Sequence, residues 1–502
     1  LSEQTQNLSR EVLKEVAPPP SKAAGEPRPP LWRQVLSVVE LPALAFVSAL
    51  VVGALIIVLT DLAVLDEFRA TLSRLAFGGY QRLFLALVVA VIAGWLYGDT
   101  ERLLQRLFNR IGRGQQTPTR LQAGIVRLAA GVGGLALVIV IVRAAGFAQA
   151  LDNAWAAVTV AYNSMLEGSV GSLSGMIAAL QSGDAEARRL AFYPALESLV
   201  AATPYIFAGL AVAVGFRCGL FNIGAEGQLF MGAIFSVYVG YSIKGLPALV
   251  HIPLALTAGA LGGALWALLP AILKAKVGAH EVINTMMMNW IAIRLSEWLL
   301  SDKGPMKRPE SANPISPFIE KSAELPRFFP DPIRFHLGFF IALGVAVFIY
   351  WFLFRTTWGF ELRTVGMNPN AARYAGISIT RNYIIAFCLS GALAGLAGAN
   401  EVLGLNHNLA LAFSAGTGFD SIALALLGKS HPLGVVLAAV LFGTLRSGGT
   451  RMQNVAKIPV DIIQVVQALV IAFIAAPAII RAIYRIRAER GAEVVLTRGW
   501  GK

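Results

Sequence analysis

Ten apolar stretches, each long enough to cross roughly 30 Å of hydrocarbon, recur along this chain at 37–60, 81–98, 122–144, 193–215, 228–244, 250–273, 283–300, 336–354, 382–404 and 461–480. A backbone in lipid must satisfy its own hydrogen bonds, so stretches of this kind fold as helices packed in a membrane. A further stretch, 416–448, is interrupted by Gly-Lys-Ser-His-Pro-Leu-Gly at 428–434. It reads as two short spans or a re-entrant pair, because proline disfavours helical geometry in the residue before it. The expected fold is all-α, a polytopic membrane helix bundle of about 10–12 passes.

The composition agrees, with 56% hydrophobic and 14% charged residues. A formal charge of +13 raises the question of a nucleic-acid partner. The basic residues instead gather in short connections between apolar runs, as the inside-positive rule requires, and no nucleic-acid partner is expected. Arg102, Arg106, Arg110, Arg113 and Arg120 lie in 99–121; Arg355, Arg363, Arg373 and Arg381 lie in 355–381; Arg481, Arg485, Arg487 and Arg490 lie in the C-terminal tail. These segments are assigned to the cytoplasm, with 61–80, 145–192 and 301–335 outside and both termini inside. The loop 301–335 runs against this orientation, carrying Lys303, Lys307, Arg308, Lys321, Arg327 and Arg334.

The expected organisation is a disordered cytoplasmic tail (1–35), additional N-terminal membrane segments with a basic loop (36–150), an external segment (151–192), a core (193–482) and a second tail (483–502). The first tail lacks the basic, apolar and cleavage pattern of a signal peptide. Cys218 and Cys388 lie at or within apolar segments, so no structural disulfide is expected. Gly259 and Gly263, like Gly391 and Gly395, are four apart, a spacing that lets helix backbones approach closely.

Two polar constellations stand out. Asn222, Glu226 and Gln228 sit among glycines in GLFNIGAEGQLFMG (219–232), and Glu281, Asn284, Thr285, Asn289 and Trp290 sit in EVINTMMMNW (281–290). If the second is helical from 281, Glu281, Thr285 and Asn289 share a face. That face suits a polar solute, and it equally suits hydrogen bonding between helices. Glu226 reads as a gate or a structural ion pair with Arg217, with solute contact as the alternative. Asn400, Glu401, Asn406, His407 and Asn408 form a third group, an entrance, a docking surface or a solvated cap.

No phosphate-binding loop is present: the nearest approach, 421–430, has Ala423 where a glycine belongs and no preceding strand. The five histidines are scattered, so no metal site is expected. Residues 354–378 combine basic residues with Asn368-Pro369, a capping residue followed by a proline suited to the first turn of a helix. A short surface helix there is either a handle for a cytoplasmic motor or an interfacial connector.

At these residues the chain resembles the permease subunits of bacterial ABC importers in the branched-chain amino acid, ribose and simple-sugar permease family, and within it the nucleoside branch. The likeness rests on ESLVAATPYIFAGLAVAVGF (197–216), GLFNIGAEGQLFMG (219–232), GAHEVINTMMMNW (278–290) and GFELRTVGMNPNAARYAGI (359–377) and covers roughly 193–482. It implies a type II-like importer permease of the bacterial inner membrane, embedded in lipid, with no enzyme activity and no cofactor on this chain. ATP and Mg would be bound by separate cytoplasmic ATPase subunits. The other implied partners are a second permease, homologous or identical, and an external solute-binding protein.

The resemblance further implies that Glu361, Arg363, Val365, Gly366, Asn368, Pro369 and Ala372 enter a cleft in the ATPase. Solute would pass near Asn284, Thr285 and Asn289, with Asn222 and Glu226 as further path candidates. For a nucleoside, Phe221 or Trp290 would stack on the base; ribose or another simple sugar is the alternative solute. An export permease and an ion-coupled secondary transporter are the remaining function classes.

Overall fold

The computed structural model describes residues 31–77, 147–459, 461–475 and 483. The chain before residue 31, the spans expected at 81–98 and 122–144, the arginine-rich loop 99–121 and nearly all of the C-terminal tail lie outside the described residues. Everything described is helix or loop, apart from two isolated bridges, Ile315 with Ala410 and Arg327 with His336. The all-α bundle is therefore what the chain forms. Six described helical segments are long and apolar enough to cross a membrane: Ala43–Thr60, Ala185–Arg217, Ala248–Val277, Gly338–Arg355, Ile379–Asn406 and Pro432–Ala456.

The N-terminal part contributes α1 (Leu31–Thr60) and α2 (Leu62–Phe77). The segment expected to lie outside the membrane holds α3 (Phe147–Ser169) and α4 (Leu173–Gln181). Next comes α5 (Ala185–Arg217), 33 residues capped by Asp184, whose carboxylate accepts the Glu186 N–H. It is buried almost continuously from Val200 to Gly215, and that is why it shows no amphipathic period. The rest of the bundle is α6 (Ala225–Ser242), α7 (Ala248–Ile272), α8 (Glu281–Leu299), α9 (Gly338–Arg355), α10 (Thr357–Met367), α11 (Pro369–Tyr374), α12 (Ile379–Glu401), α13 (Thr417–Leu427), α14 (Pro432–Ala456) and α15 (Asp461–Ala475). The interrupted stretch thus resolves into one short helix and one full-length helix, separated by the Lys429-Ser430-His431 turn.

The centre is held by small residues. On α7 and α12, Gly259, Gly263, Gly391 and Gly395 bring two backbones into contact: an added Cβ on Gly263 would overlap the Gly391 carbonyl, and one on Gly395 would overlap that of Gly259. Gly232 of α6 meets Gly395 in the same way. Lipid tails are as apolar as leucine, so close packing of this kind, rather than exclusion from water, holds such helices together.

The loop 300–337 closes one end of the bundle. Its amides bond to the stretch after α12, Ile319 to the His407 carbonyl at 2.9 Å and Leu325 to that of Leu403 at 2.9 Å. Arg334 pairs with Glu197 of α5 at 2.6 Å. Much of its basic charge is therefore matched within this end: Arg327 also bonds Asp331 at 3.1 Å. Residues 355–381 lie at the other end, called here the arginine-bearing end.

The glycine contacts make a direct prediction. Gly395→Leu should cost at least about 3 kcal/mol by overpacking and abolish recovery of monodisperse protein in detergent. Gly344→Ala, where an added Cβ meets nothing within 4 Å, should leave the size-exclusion profile unchanged.

Candidate functional site

Helix α5 ends at Arg217, and the chain then turns through Gly219 (φ +73°), a left-handed conformation that favours glycine. From there it climbs back into the bundle. Asn222 reaches Ser390, which lies about 16 Å along α12 by helix rise. The Asn222 amide donates to the Ser390 hydroxyl at 2.8 Å and to Gln228 Oε1 at 2.9 Å, while its oxygen accepts the Gly224 N–H at 2.9 Å. Ser390 in turn donates to the Ala211 carbonyl of α5 at 2.6 Å. Asn289 secures the same loop from α8, accepting the Gly227 N–H at 2.8 Å and donating to the Ile223 carbonyl at 2.9 Å. Asn222, Gln228 and Asn289 are all buried.

Glu226 completes the joint. Its side chain accepts the Gly418 N–H at 2.6 Å and the Ser414 hydroxyl. Gly418 belongs to the first turn of α13, an 11-residue helix that starts inside the bundle after a left-handed Gly416. Free amides at a helix N-terminus carry partial positive charge, and a carboxylate there satisfies both their hydrogen bonds and their dipole. An added Cβ on Gly418 would overlap the Glu226 backbone, so this contact depends on glycine.

The expected pairing of Glu226 with Arg217 is corrected here. Arg217 instead donates to the carbonyls of Ser430 at 2.8 Å and Lys429 at 3.3 Å, in the turn after α13. A carboxylate is the better partner for open amides, and an arginine fork the better partner for open carbonyls, so each charge sits at the end of α13 whose dipole it complements.

The other path candidates separate. On α8, Thr285 is buried and its hydroxyl donates back to the Glu281 carbonyl at 2.8 Å. Glu281 pairs with Lys274 at 2.8 Å. The Asn284 Nδ2 is buried with no hydrogen-bond partner among the described residues. Trp290 is exposed, on a stripe with Ile283, Met286 and Met287 that points away from Asn289. Phe221 packs on Phe216, ring centroids 5.1 Å apart. Of the third polar group, Asn400 is buried and His407 bonds Arg327 at 2.9 Å, so that group joins the closed end.

Residues 357–374 form a helical hairpin at the arginine-bearing end. Asn368 caps α11, its side chain accepting the amides of Asn370 at 3.0 Å and Ala371 at 3.1 Å, with Pro369 in the first turn. Val365 and Ala372 are buried beneath it. Glu361 accepts from the Asn382 amide at 3.1 Å and bonds Arg381, ties that hold its carboxyl below the usual range. Gly366 lies against the Arg217–Gly219 backbone with no room for a side chain. Arg363 and Arg217 both stack on Phe354, at 5.1 Å and 5.4 Å from the ring centroid.

Sequence reading missed Met367 and Tyr374, 87% and 95% exposed at the hairpin tip, whose apolar character signals a surface awaiting cover. It also passed over Asp420 and Arg446, charges within an otherwise apolar stretch.

Removing the Glu226 carboxylate should strand the α13 amides. Glu226→Ala is expected to lower stability by about 2–3 kcal/mol and Glu226→Gln by less, both read as thermal unfolding of the purified chain. A wild-type melting curve for the alanine variant would contradict the joint described above.

Residues 195–475 match the family model described as branched-chain amino acid transport system / permease component. The chain is 44% identical over 305 residues, 59% of its own length and 85% of the relative's, to the guanosine ABC transporter permease protein NupP of Bacillus subtilis. It is 37% identical over 291 residues to the glucose ABC transporter permease protein TsgB13 of Haloferax volcanii, covering 55% of this chain and 75% of that one. With the nucleoside ABC transporter permease protein NupB of Lactococcus lactis it shares 34% over 310 residues, 60% and 85% of the two lengths. No solved structure matches. The match spans more than half of the chain and coincides with the bundle from α5 to α15, and the protein belongs to this family of transport-system permeases.

Proposed function

We propose that this chain is the membrane permease of an ATP-driven importer that moves nucleosides across the bacterial plasma membrane. The observation that carries this reading is the 44% identity to a guanosine permease across 85% of that relative's length. The chain is a transport subunit, and ATP hydrolysis falls to a separate subunit. The 37% identity to a glucose permease supports a simple sugar as the second reading.

The geometry suits this division of labour. The α10–α11 hairpin is the handle: it is rigid through its cap and its buried Val365 and Ala372, and it offers Met367 and Tyr374 to an apolar cleft on the ATPase. By its arginines this end faces the cytoplasm. Movement of the hairpin reaches the membrane core by two routes, the Gly366 contact with the end of α5 and the Phe354 stack with Arg363 and Arg217. Arg217 holds the carbonyl end of α13, whose amide end is held by Glu226, so force at the handle is delivered to a helix that begins at mid-membrane. A second permease completes the passage, and an external solute-binding protein docks at the end closed by 300–337. ATP shifts the states only as far as it binds them unequally. Among the path candidates, Asn284 has an amide nitrogen, buried in this conformation, without a partner among the described residues, which a rearranged path would have to uncover for a solute.

Vesicles carrying this permease with its cognate ATPases and solute-binding protein should accumulate radiolabelled guanosine only with ATP and only when the binding protein is present. Uptake of ribose or glucose to the exclusion of guanosine would move the assignment to the sugar branch, and export from preloaded vesicles would overturn it. Met367→Asp with Tyr374→Asp should leave the permease folded, since both side chains are exposed. The pair should reduce co-purification of the ATPase subunits by at least about tenfold, as expected when apolar anchors of an interface are replaced by charge.

A further inference from the structure

A charged group lies inside the bundle that neither the joint nor the hairpin uses. The Tyr205 hydroxyl of α5 donates to Asp420 Oδ2 of α13 at 3.0 Å and accepts from Arg446 Nη1 of α14 at 2.8 Å. The Arg446 guanidinium also lies 5.8 Å from the Tyr205 ring centroid. Counting helix rise from the arginine-bearing end, Tyr205 is about 18 Å along α5 and Arg446 about 21 Å along α14, so both counts put the group near the middle of the membrane. Ionisable side chains at that depth face a water-filled path or a partner.

The bonding within the fold is incomplete. Tyr205 is buried, whereas Asp420 and Arg446 are half-buried. Arg446 has five N–H donors and spends one of them on Tyr205. The second Asp420 oxygen and the remaining Arg446 donors have no hydrogen-bond partner among the described residues, and both residues keep part of their surface uncovered. Glu401, at the end of α12, lies within the field of Arg446. A purely structural ion pair would direct the two charges at each other, but here a tyrosine stands between them and bonds only one oxygen of Asp420 and one nitrogen of Arg446.

A carboxylate acceptor beside a guanidinium donor complements one kind of neutral group particularly well. In a vicinal diol each hydroxyl both donates and accepts, so one can donate a hydrogen bond to Asp420 while the other accepts from Arg446. The paired charges cancel, which disfavours ionised solutes at the same place. We infer that Tyr205, Asp420 and Arg446 form a solute-recognition site for the vicinal diol of a ribosyl group, met on the way through the membrane. Tyr205 is the positioning residue, and Asp420 and Arg446 make the contacts. This inference rests on the importer reading above and adds the part of the solute that is recognised.

The experiment compares uptake by the reconstituted complex of guanosine with 2′,3′-dideoxyguanosine, and of ribose with 2,3-dideoxyribose, for wild type, Asp420→Asn and Arg446→Gln. ATPase activity of each complex reports assembly. Wild type should prefer the hydroxyl-bearing member of whichever pair it transports, and each variant should lower that preference by about tenfold, the worth of one hydrogen bond to a charged group. A structural role would depress both members of a pair equally. Transport with unchanged preference in both variants overturns the diol site while leaving the importer reading standing. Wild-type transport of ribose but not guanosine overturns the nucleoside reading while still testing the site. Failure of the wild type to move either solute overturns both. Should Arg446→Gln fail to assemble, Arg446→Lys, which keeps the charge but loses the planar fork, should show a smaller drop in preference.

Discussion

The contact on which the bundle turns is the acceptance by Glu226 of the Gly418 amide and the Ser414 hydroxyl. A helix that begins in mid-membrane exposes amides with no intrahelical partner, and hydrocarbon offers them no water. The carboxylate pairs the amide that opens α13, the helix that places Asp420 beside Tyr205. The carboxylate must itself be fixed. Asn222, Gln228, Ser390 and Asn289 do this by knitting the loop before α6 to α5, α8 and α12.

The broken helix is also the element best placed to change state. It is short, it is held at each end by a charge of the sign its dipole favours, and its two anchors belong to different parts of the molecule. Glu226 travels with the core of small residues, where α6, α7 and α12 meet backbone to backbone and allow little adjustment. Arg217 travels with the hairpin, through Phe354 and the Gly366 contact. α13 is therefore bonded to the core at its amide end and to the hairpin side at its carbonyl end. Under the proposed function, that arrangement would connect the hairpin to the middle of the membrane through few contacts.

Much of this was readable in advance. Apolar runs of membrane length foretold the helical bundle, because lipid leaves the backbone almost no alternative. Gly259, Gly263, Gly391 and Gly395 announced close packing by their spacing, and Asn368-Pro369 announced the start of a helix, since capping depends only on neighbours in the chain. The resemblance carried by 197–216, 219–232, 278–290 and 359–377 agrees with the family match over 195–475. Partners were less readable: a carboxylate nine residues from an arginine suggested an ion pair, whereas each side chain serves an opposite end of a helix about two hundred residues downstream.

Local sequence thus established the class of fold, the small-residue seam, the capped hairpin and the family, because hydropathy, spacing and capping are properties of neighbours. The folded bundle alone established that Asn222, Gln228 and Asn289 spend their hydrogen bonds on a loop, that Trp290 faces outward, and that Asp420, Tyr205 and Arg446 meet. Those outcomes depend on which residues distant in the chain become adjacent, and in a membrane a polar group takes whichever partner the packing of helices brings within reach.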